Sequence, residues 1–345
     1  VWASGKNTVV AGVPHTNFKL TQTLPDQLIF SDTAGVIIDS FAIKPMQEYH
    51  SRGRTIDGFS SWSVFTTPTP GATNASPLQE YATLPTITPP SSSFSGTTLV
   101  TITSPDIGIT LHYTLDGSTP TLSSPTYSAS ISISTTTVVR ARAFSSNPLV
   151  PPSFVKSRTF FIGVTHTIPI VSIFGDSIAI LMNGTQFSPT TCVQYFDKNK
   201  IFKAESQGSS NKHGNDSWGY AQRGIDFISD DELGYNYAMN YKIFNNKSRA
   251  SFRRIILKAA ANDNYPSGTG GITPPAHIRD SYCHTLSQRG NLHLDERTWA
   301  PCVLYLNGAY WGVYDIREKV DDDDFTGYYY NQGDQDSLQM LQTWG

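Results

Sequence analysis

Asn307-Gly308 sits between two apolar runs, Cys302 to Leu306 and Tyr310 to Ile316. A two-residue hairpin loop of type I′ needs φ > 0 at both central residues, which Asn and Gly adopt at least cost. The dipeptide therefore predicts two antiparallel strands joined by a tight turn. Val303, Tyr305, Tyr310, Gly312 and Tyr314 are largely apolar or aromatic, so at least one face of the hairpin is expected to be buried. The second run leads directly into Arg317, Glu318 and Lys319, then into four consecutive aspartates, Asp321 to Asp324. Those carboxylates offer oxygen ligands to Ca²⁺ or Mg²⁺, although a run of like charges is more often a solvated loop.

The same stretch carries a resemblance. Leu306, Asn307, Gly308, Tyr310, Gly312, Tyr314 and Glu318 fall in register with LNGxYxGxYxxxE, the signature of the spore-coat-protein-H (CotH) kinase-like family. The resemblance implies a kinase-like fold in which this hairpin forms the fourth and fifth strands of the N-terminal lobe. The segment after it would then border the adenine pocket. The plain alternative is an ordinary hairpin with a charged exit.

The chain has 345 residues, enough for two or three domains. Charged residues make up only 15%, with 21 prolines and 26 glycines, a profile that suits a β-rich, loop-rich extracellular protein. The net charge of −3 offers no electrostatic argument for nucleic acid or a membrane surface. No apolar run is long enough for a transmembrane segment. Cys192, Cys283 and Cys302 lie far apart and leave open one disulfide with a free thiol or three thiols. Both ends of the chain are expected to be cuts through larger units.

In chain order, residues 1–75 read as short β runs separated by Gly, Pro, Asn and Asp. VWASGKN, HTNFKL, GVIIDSF, SRGRTIDG, Trp62 and PTPGATN resemble a lamin-tail domain, an immunoglobulin-like β-sandwich lacking its first strands. Residues 76–88 form a linker. Residues 89–163 alternate Thr, Val and Ile in strand-like runs and predict a small sandwich. Tyr113 to Pro120, containing the DGSTP turn, with Ser124 to Tyr127 and Val138 to Ala143, resemble the C-terminal β-domain of chitobiases and hexosaminidases. That resemblance implies an accessory fold, and no paired carboxylates of a glycosidase accompany it. Residues 164–345 form the CotH-like unit. The expected fold is thus mainly β and multidomain: two immunoglobulin-like β-sandwiches, then the α+β N-terminal lobe of a kinase-like domain.

Four residues of this last unit are candidates for cofactor binding. Gln207 to Asp226 is a loop rich in Gly and Ser between β runs, suited to lying over phosphates. Arg223 stands there where the family carries lysine, a planar fork in place of a point charge. Lys258 ends the strand Arg253 to Ala259, and a helix is expected from Pro274-Pro275 to Gly290. Ile278, Tyr282, Cys283 and Leu286 predict an apolar stripe facing a core, and Asp280 is an acid that can pair with Lys258 or Arg223. Glu318 closes the signature. His277, His284 and His293 do not fall at metal-ligand spacings and are read as structural. Tyr328 to Tyr330 and Trp344 are read as packing residues, and the loop Asn262 to Thr273 as mobile at its tip.

The family resemblance implies ATP-dependent phosphorylation of serine in an extracellular protein, with ATP and Mg²⁺ as cofactors and Ca²⁺ as an alternative ion. No catalytic residue is expected within the chain; the catalytic and metal-binding aspartates would follow Gly345. The expected setting is secreted or on a bacterial cell surface, within a larger surface or secretion assembly. The partner is an unidentified surface or secreted protein, with a glycan as a further candidate, and no nucleic acid. The competing reading is a non-catalytic adhesion or structural protein that uses the kinase-like fold as a binding or architectural module.

Overall fold

The computed structural model describes residues 2–3, 7–234, 236–264 and 274–333. It is mainly β. Most of the loop Asn262 to Thr273, the run Ser337 to Trp344 and Trp344 itself lie outside the described residues.

Six strands build the first unit: β1 Thr8–Val10, β2 Val13–His15, β3 Gln27–Ser31, β4 Ile37–Ala42, β5 Ser51–Arg54 and β6 Trp62–Phe65. They pair as three separate two-stranded sheets, β1-β2, β3-β4 and β5-β6, rather than as the two facing sheets of the expected sandwich. The reason lies in burial. Val64 and Phe65 are enclosed, whereas Leu28, Ile29, Phe30, Ile37 and Ile38 on β3 and β4 are exposed. A hairpin with both faces in water has no opposing layer to pack on.

The second unit holds β7 Thr86–Thr88, β8 Ser93–Phe94, β9 Thr98–Thr103, β10 Ile109–Thr114, β11 Ile131–Ile133, β12 Thr137–Ser145 and β13 Lys156–Ile162. They form a four-stranded sheet, β10-β12-β13-β8, and a three-stranded sheet, β11-β9-β7. Ile87, Val100, Ile102 and Ile133 from one sheet meet Val139, Ala141 and Phe160 from the other. The Thr-Val-Ile alternation has placed its apolar members on the facing surfaces.

The third unit contains β14 Ile170–Phe174, α1 Ile178–Met182, β15 Thr190–Phe196, β16 Phe202–His213, β17 Gly224–Ser229, β18 Arg254–Lys258, α2 Arg279–Arg289, β19 Trp299–Leu306, β20 Ala309–Glu318 and α3 Asp323–Tyr330. Its strands close into a barrel in the order β14-β15-β16-β17-β18-β20-β19, with β14 and β19 parallel. Closure leaves this sheet no edge, and the interior is filled by residues such as Val171, Phe227, Leu257, Leu304 and Tyr314.

The Asn-Gly turn forms as its residues require, with φ of 48° at Asn307 and 85° at Gly308. Its tip is also an inter-unit contact. Within the barrel unit Asn307 Oδ1 accepts from Gly175 N at 3.1 Å; across the boundary a Cβ at Gly117 of the DGSTP turn would meet that same oxygen, and a Cβ at Gly308 would meet the backbone of Thr136 to Val138. Phe161 of β13 packs with Ile170, Phe196, Val303 and Tyr305 of the barrel, and Val138 with Phe174 and Cys192. Thr159 Oγ1 donates to Gln194 Oε1 at 2.8 Å, and Ser172 Oγ lies 2.9 Å from the same hydroxyl, across the same boundary. The second and third units therefore share a core. The three cysteines are all free thiols, Cys192 and Cys302 buried and Cys283 exposed.

Three sequence expectations are corrected here. The helix begins at Arg279, past Pro274-Pro275. Ile278, Tyr282, Cys283 and Leu286 are exposed, and the buried residue of α2 is Ser281. The helix packs through hydrogen bonds: Ser281 Oγ to Asp315, Gln288 Nε2 to Thr298 Oγ1 at 2.9 Å, and Trp299 Nε1 to Thr285 Oγ1 at 2.8 Å. An apolar stripe at helical spacing shows which face is greasy, not which face has a neighbour. Tyr328 and Tyr330 are likewise exposed, while Tyr329 donates to Glu318 Oε1 at 3.1 Å.

Candidate functional site

β17 and β18 lie side by side, with Ile225 opposite Leu257, so the loop from His213 to Gly224 arches over the end of β18. Lys258 is the last residue of that strand. On the next strand, Asp315 lies opposite it. α2 crosses this end of the barrel and directs Asp280 at Lys258, whose Nζ donates to Asp280 Oδ2. Of the two partners considered for Asp280, the fold selects Lys258.

Asp263 fixes the start of α2. Its backbone carbonyl accepts from His277 N at 2.8 Å, and its carboxylate takes Ala276 N at 2.8 Å and Arg279 N at 3.1 Å. A carboxylate on amide groups at a helix N-terminus is favourable for both hydrogen bonding and the helix dipole.

Arg317 backs the pair. Its Nη1 donates to Asp280, and its Nη2 donates to Ser281 Oγ at 2.6 Å and to Asp315 Oδ2 at 2.9 Å. Arg317 and Asp315 are each 1% exposed. Burial raises the proton affinity of Asp280, but Lys258 and then Arg317 outweigh it and hold the carboxyl well below the usual range. Burial, followed by Arg317, pulls the Lys258 ammonium below an ordinary lysine, and Asp280 opposes this. The chain Lys258–Asp280–Arg317–Asp315 thus positions a charged lysine at the floor of a cleft.

That cleft holds about 460 Å³ under the 213–224 loop. Lys212, Lys258, Arg297 and Lys319 line it, with Asp226 and Asp321. Lys319 Nζ bridges the two carboxylates, at 3.3 Å to Asp226 and 3.0 Å to Asp321. Burial pushes the Asp226 carboxyl up, but His213, 3.6 Å away, and Lys319 bring it below its ordinary value.

The four predicted site residues separate. Lys258 and Asp280 meet at the cleft. Arg223 does not line it: its Nε donates to the Trp218 carbonyl at 2.9 Å and its Nη1 to the Met182 carbonyl at 2.8 Å, tying the loop to the end of α1. A fork with several donors suits such carbonyl clamping. Glu318 is fully buried on the opposite side of β20 from Arg317, since successive strand residues alternate. It pairs with Arg249 at 3.3 Å, and its pKa is raised by burial.

The four aspartates diverge. Asp321 faces Lys319, Asp322 lies 3.2 Å from Arg254 and caps α3 at Phe325 N, Asp323 lies 3.8 Å from Arg253, and Asp324 takes Arg249. Among the described residues no group of three His, Cys, Asp or Glu side chains is arranged to hold a metal ion.

Sequence reasoning missed Arg317, Asp315, Asp226 and Lys319. The available signal was a charged pair two residues apart in an otherwise apolar strand, Asp315 and Arg317, which places both on one face.

Residues 222–341 match the family model described as CotH kinase protein, and residues 89–154 match the model described as chitobiase/beta-hexosaminidase C-terminal domain. No curated protein matches the chain. The chain thus joins a chitobiase/hexosaminidase C-terminal-type domain to a CotH kinase segment.

Proposed function

We propose that the barrel unit is a kinase-like nucleotide-binding module of a secreted or surface protein. The observation that carries this reading is the Lys258–Asp280 pair formed between a strand and a crossing helix beneath a Gly- and Ser-containing loop. In protein kinases a strand lysine paired to a helix acid holds nucleotide phosphates. The strand order β16-β17-β18-β20-β19, with α2 between β18 and β19 in the chain, supports the same reading of an N-terminal lobe.

The cleft residues fit a polyphosphate. Lys212, Lys258 and Arg297 supply positive charge, and the loop supplies backbone N–H groups. They do not fit a protein-held Mg²⁺ or Ca²⁺, because Lys319 already neutralises the lining carboxylates Asp226 and Asp321. Within this reading Lys258 orients the phosphates and Asp280 orients Lys258; Arg223 and Glu318 hold the surrounding structure. Serine phosphorylation of an extracellular partner is the activity proposed for the protein. The likeness of residues 1–75 to a lamin-tail module belongs to the same proposal.

A second reading has its own observation. The tip of the signature hairpin is spent on the neighbouring unit, Asn307 against Gly117 of the DGSTP turn and Gly308 against the backbone of Thr136 to Val138, which suits an architectural module. Calorimetry with ATP·Mg²⁺ decides between them. Micromolar binding that Lys258→Ala abolishes and Arg223→Ala only weakens supports the nucleotide module. No binding by the wild-type protein leaves the architectural reading.

A further inference from the structure

Beside the charged cleft lies a second compartment of about 600 Å³ with the opposite character. Tyr220, Gln222, Asn264, His277, Tyr310 and Trp311 line it, and among the described residues no Asp, Glu, Lys or Arg does. A neutral wall cannot compensate a ligand charge taken out of water, so the occupant is neutral. Tyr310 is exposed, and its ring, stacked on His166 with centroids 5.6 Å apart, keeps a flat apolar surface towards the compartment.

The hydrogen bonds of the wall determine what it lacks. Gln222 Nε2 donates to the Trp311 carbonyl at 2.9 Å. A carbonyl only accepts, so the amide is oriented with Oε1 pointing away, where it accepts from Asn264 Nδ2. Asn264 Oδ1 is then left facing His277 Nδ1 at 3.3 Å. That oxygen also only accepts, so Nδ1 carries the proton of the neutral imidazole and Nε2 keeps its lone pair. Nε2 is buried and has no partner among the described residues. Gly312 is required for this arrangement: at its φ of 138° a Cβ would come within 1.7 Å of Gln222 Nε2.

The compartment therefore combines an aromatic face, neutral amides and an acceptor waiting for a donor. We propose that it binds a neutral carbohydrate, the C–H face of a sugar ring against Tyr310 and a hydroxyl donating to His277 Nε2. A saccharide has an apolar ring face and a rim of hydroxyls, and it carries no charge. An added peptide strand fits less well, because the Trp311 carbonyl that it would need is already taken by Gln222. The inference does not depend on the nucleotide reading of the neighbouring cleft.

Saturation-transfer NMR on the full chain with cellotriose, maltotriose and triacetylchitotriose is the test. Transfer to the ring C–H protons of at least one trisaccharide is expected. Tyr310→Ala and His277→Asn should each weaken binding by about tenfold, roughly 1.4 kcal/mol. Asparagine is chosen because it tolerates the left-handed backbone of His277, at φ 65°. Tyr310→Ala removes an exposed ring, and an unchanged Tm would show that its effect is on binding. Lys258→Ala should leave saccharide binding unaltered. The proposal is overturned if none of the three sugars receives transfer, if both wall variants bind as wild type, or if a neutral Gly-Ser peptide occupies the compartment and the sugars do not displace it.

Discussion

Arg317→Met gives the sharpest test of the network behind Lys258. Arg317 and Asp315 are each 1% exposed and pair at 2.9 Å, and the same guanidinium reaches Asp280 and Ser281. Methionine keeps much of the length but leaves the Asp315 carboxylate buried with only Ser281 as a side-chain donor. Breaking a buried pair from one side costs about 3–5 kcal/mol, because a charge stays in a medium that solvates it poorly. Replacing both members with apolar residues of similar size is often neutral. R317M alone should thus lose about 3–5 kcal/mol, a fall in Tm of roughly 6–20 °C for a unit of this size. The double variant D315L/R317M should recover most of that loss. Urea and thermal unfolding followed by tyrosine and tryptophan fluorescence measure both. A loss below about 1 kcal/mol in R317M, or a double variant no better than the single, would refute the claim that burial of this pair makes it costly to break. R317M should also weaken ATP binding less than Lys258→Ala does, since Asp280 keeps its contact with Lys258.

Three further outcomes follow from the packing. Burial raises the Asp322 pKa from 3.8 to about 6, so the folded protein binds this proton more tightly than the unfolded chain. Its contribution is then present below pH 3.8 and is lost as pH rises through about 6; Asp322→Asn, which keeps the helix cap, should gain about 1–3 kcal/mol at pH 7.5 and almost nothing at pH 3.5. Phe161→Ala opens a cavity between the second unit and the barrel and should cost about 3–5 kcal/mol. Because that core is shared, calorimetry should show both units moving to lower temperature together; a shift in one transition alone would contradict a common core. Asp263→Ala removes the carboxylate that holds two backbone amides at the start of α2, Ala276 N and Arg279 N, and keeps the backbone carbonyl that holds His277 N. It should cost about 1–2 kcal/mol and weaken ATP binding with the fold intact, whereas unchanged affinity would show that α2 needs no anchor there.

Much of the barrel unit was legible in its residues. The Asn-Gly turn, the strand ending in Lys258, the stop at Gly290 and the acid at Asp280 are local signals, each set by backbone sterics or by spacing along one element. The misplaced stripe on α2 shows the limit. Its periodicity is real, but what covers a helix face is decided by neighbours distant in sequence, here Asp315, Thr298 and Trp299. The placement of Arg223 was illegible for a similar reason. Its chemistry would serve a phosphate, but the loop turns it onto the carbonyls of Trp218 and Met182.

The sequence by itself determined the β-rich class, the turns and the identity of the CotH-like and chitobiase-like segments, because these rest on short-range geometry and in-register motifs. Only the tertiary structure decided that β14 and β19 close a barrel, that the signature hairpin docks on its neighbour, and that Arg317 stands behind Asp280. Those outcomes depend on which surfaces meet, and pairing energies between residues far apart in the chain leave no periodic trace in either partner.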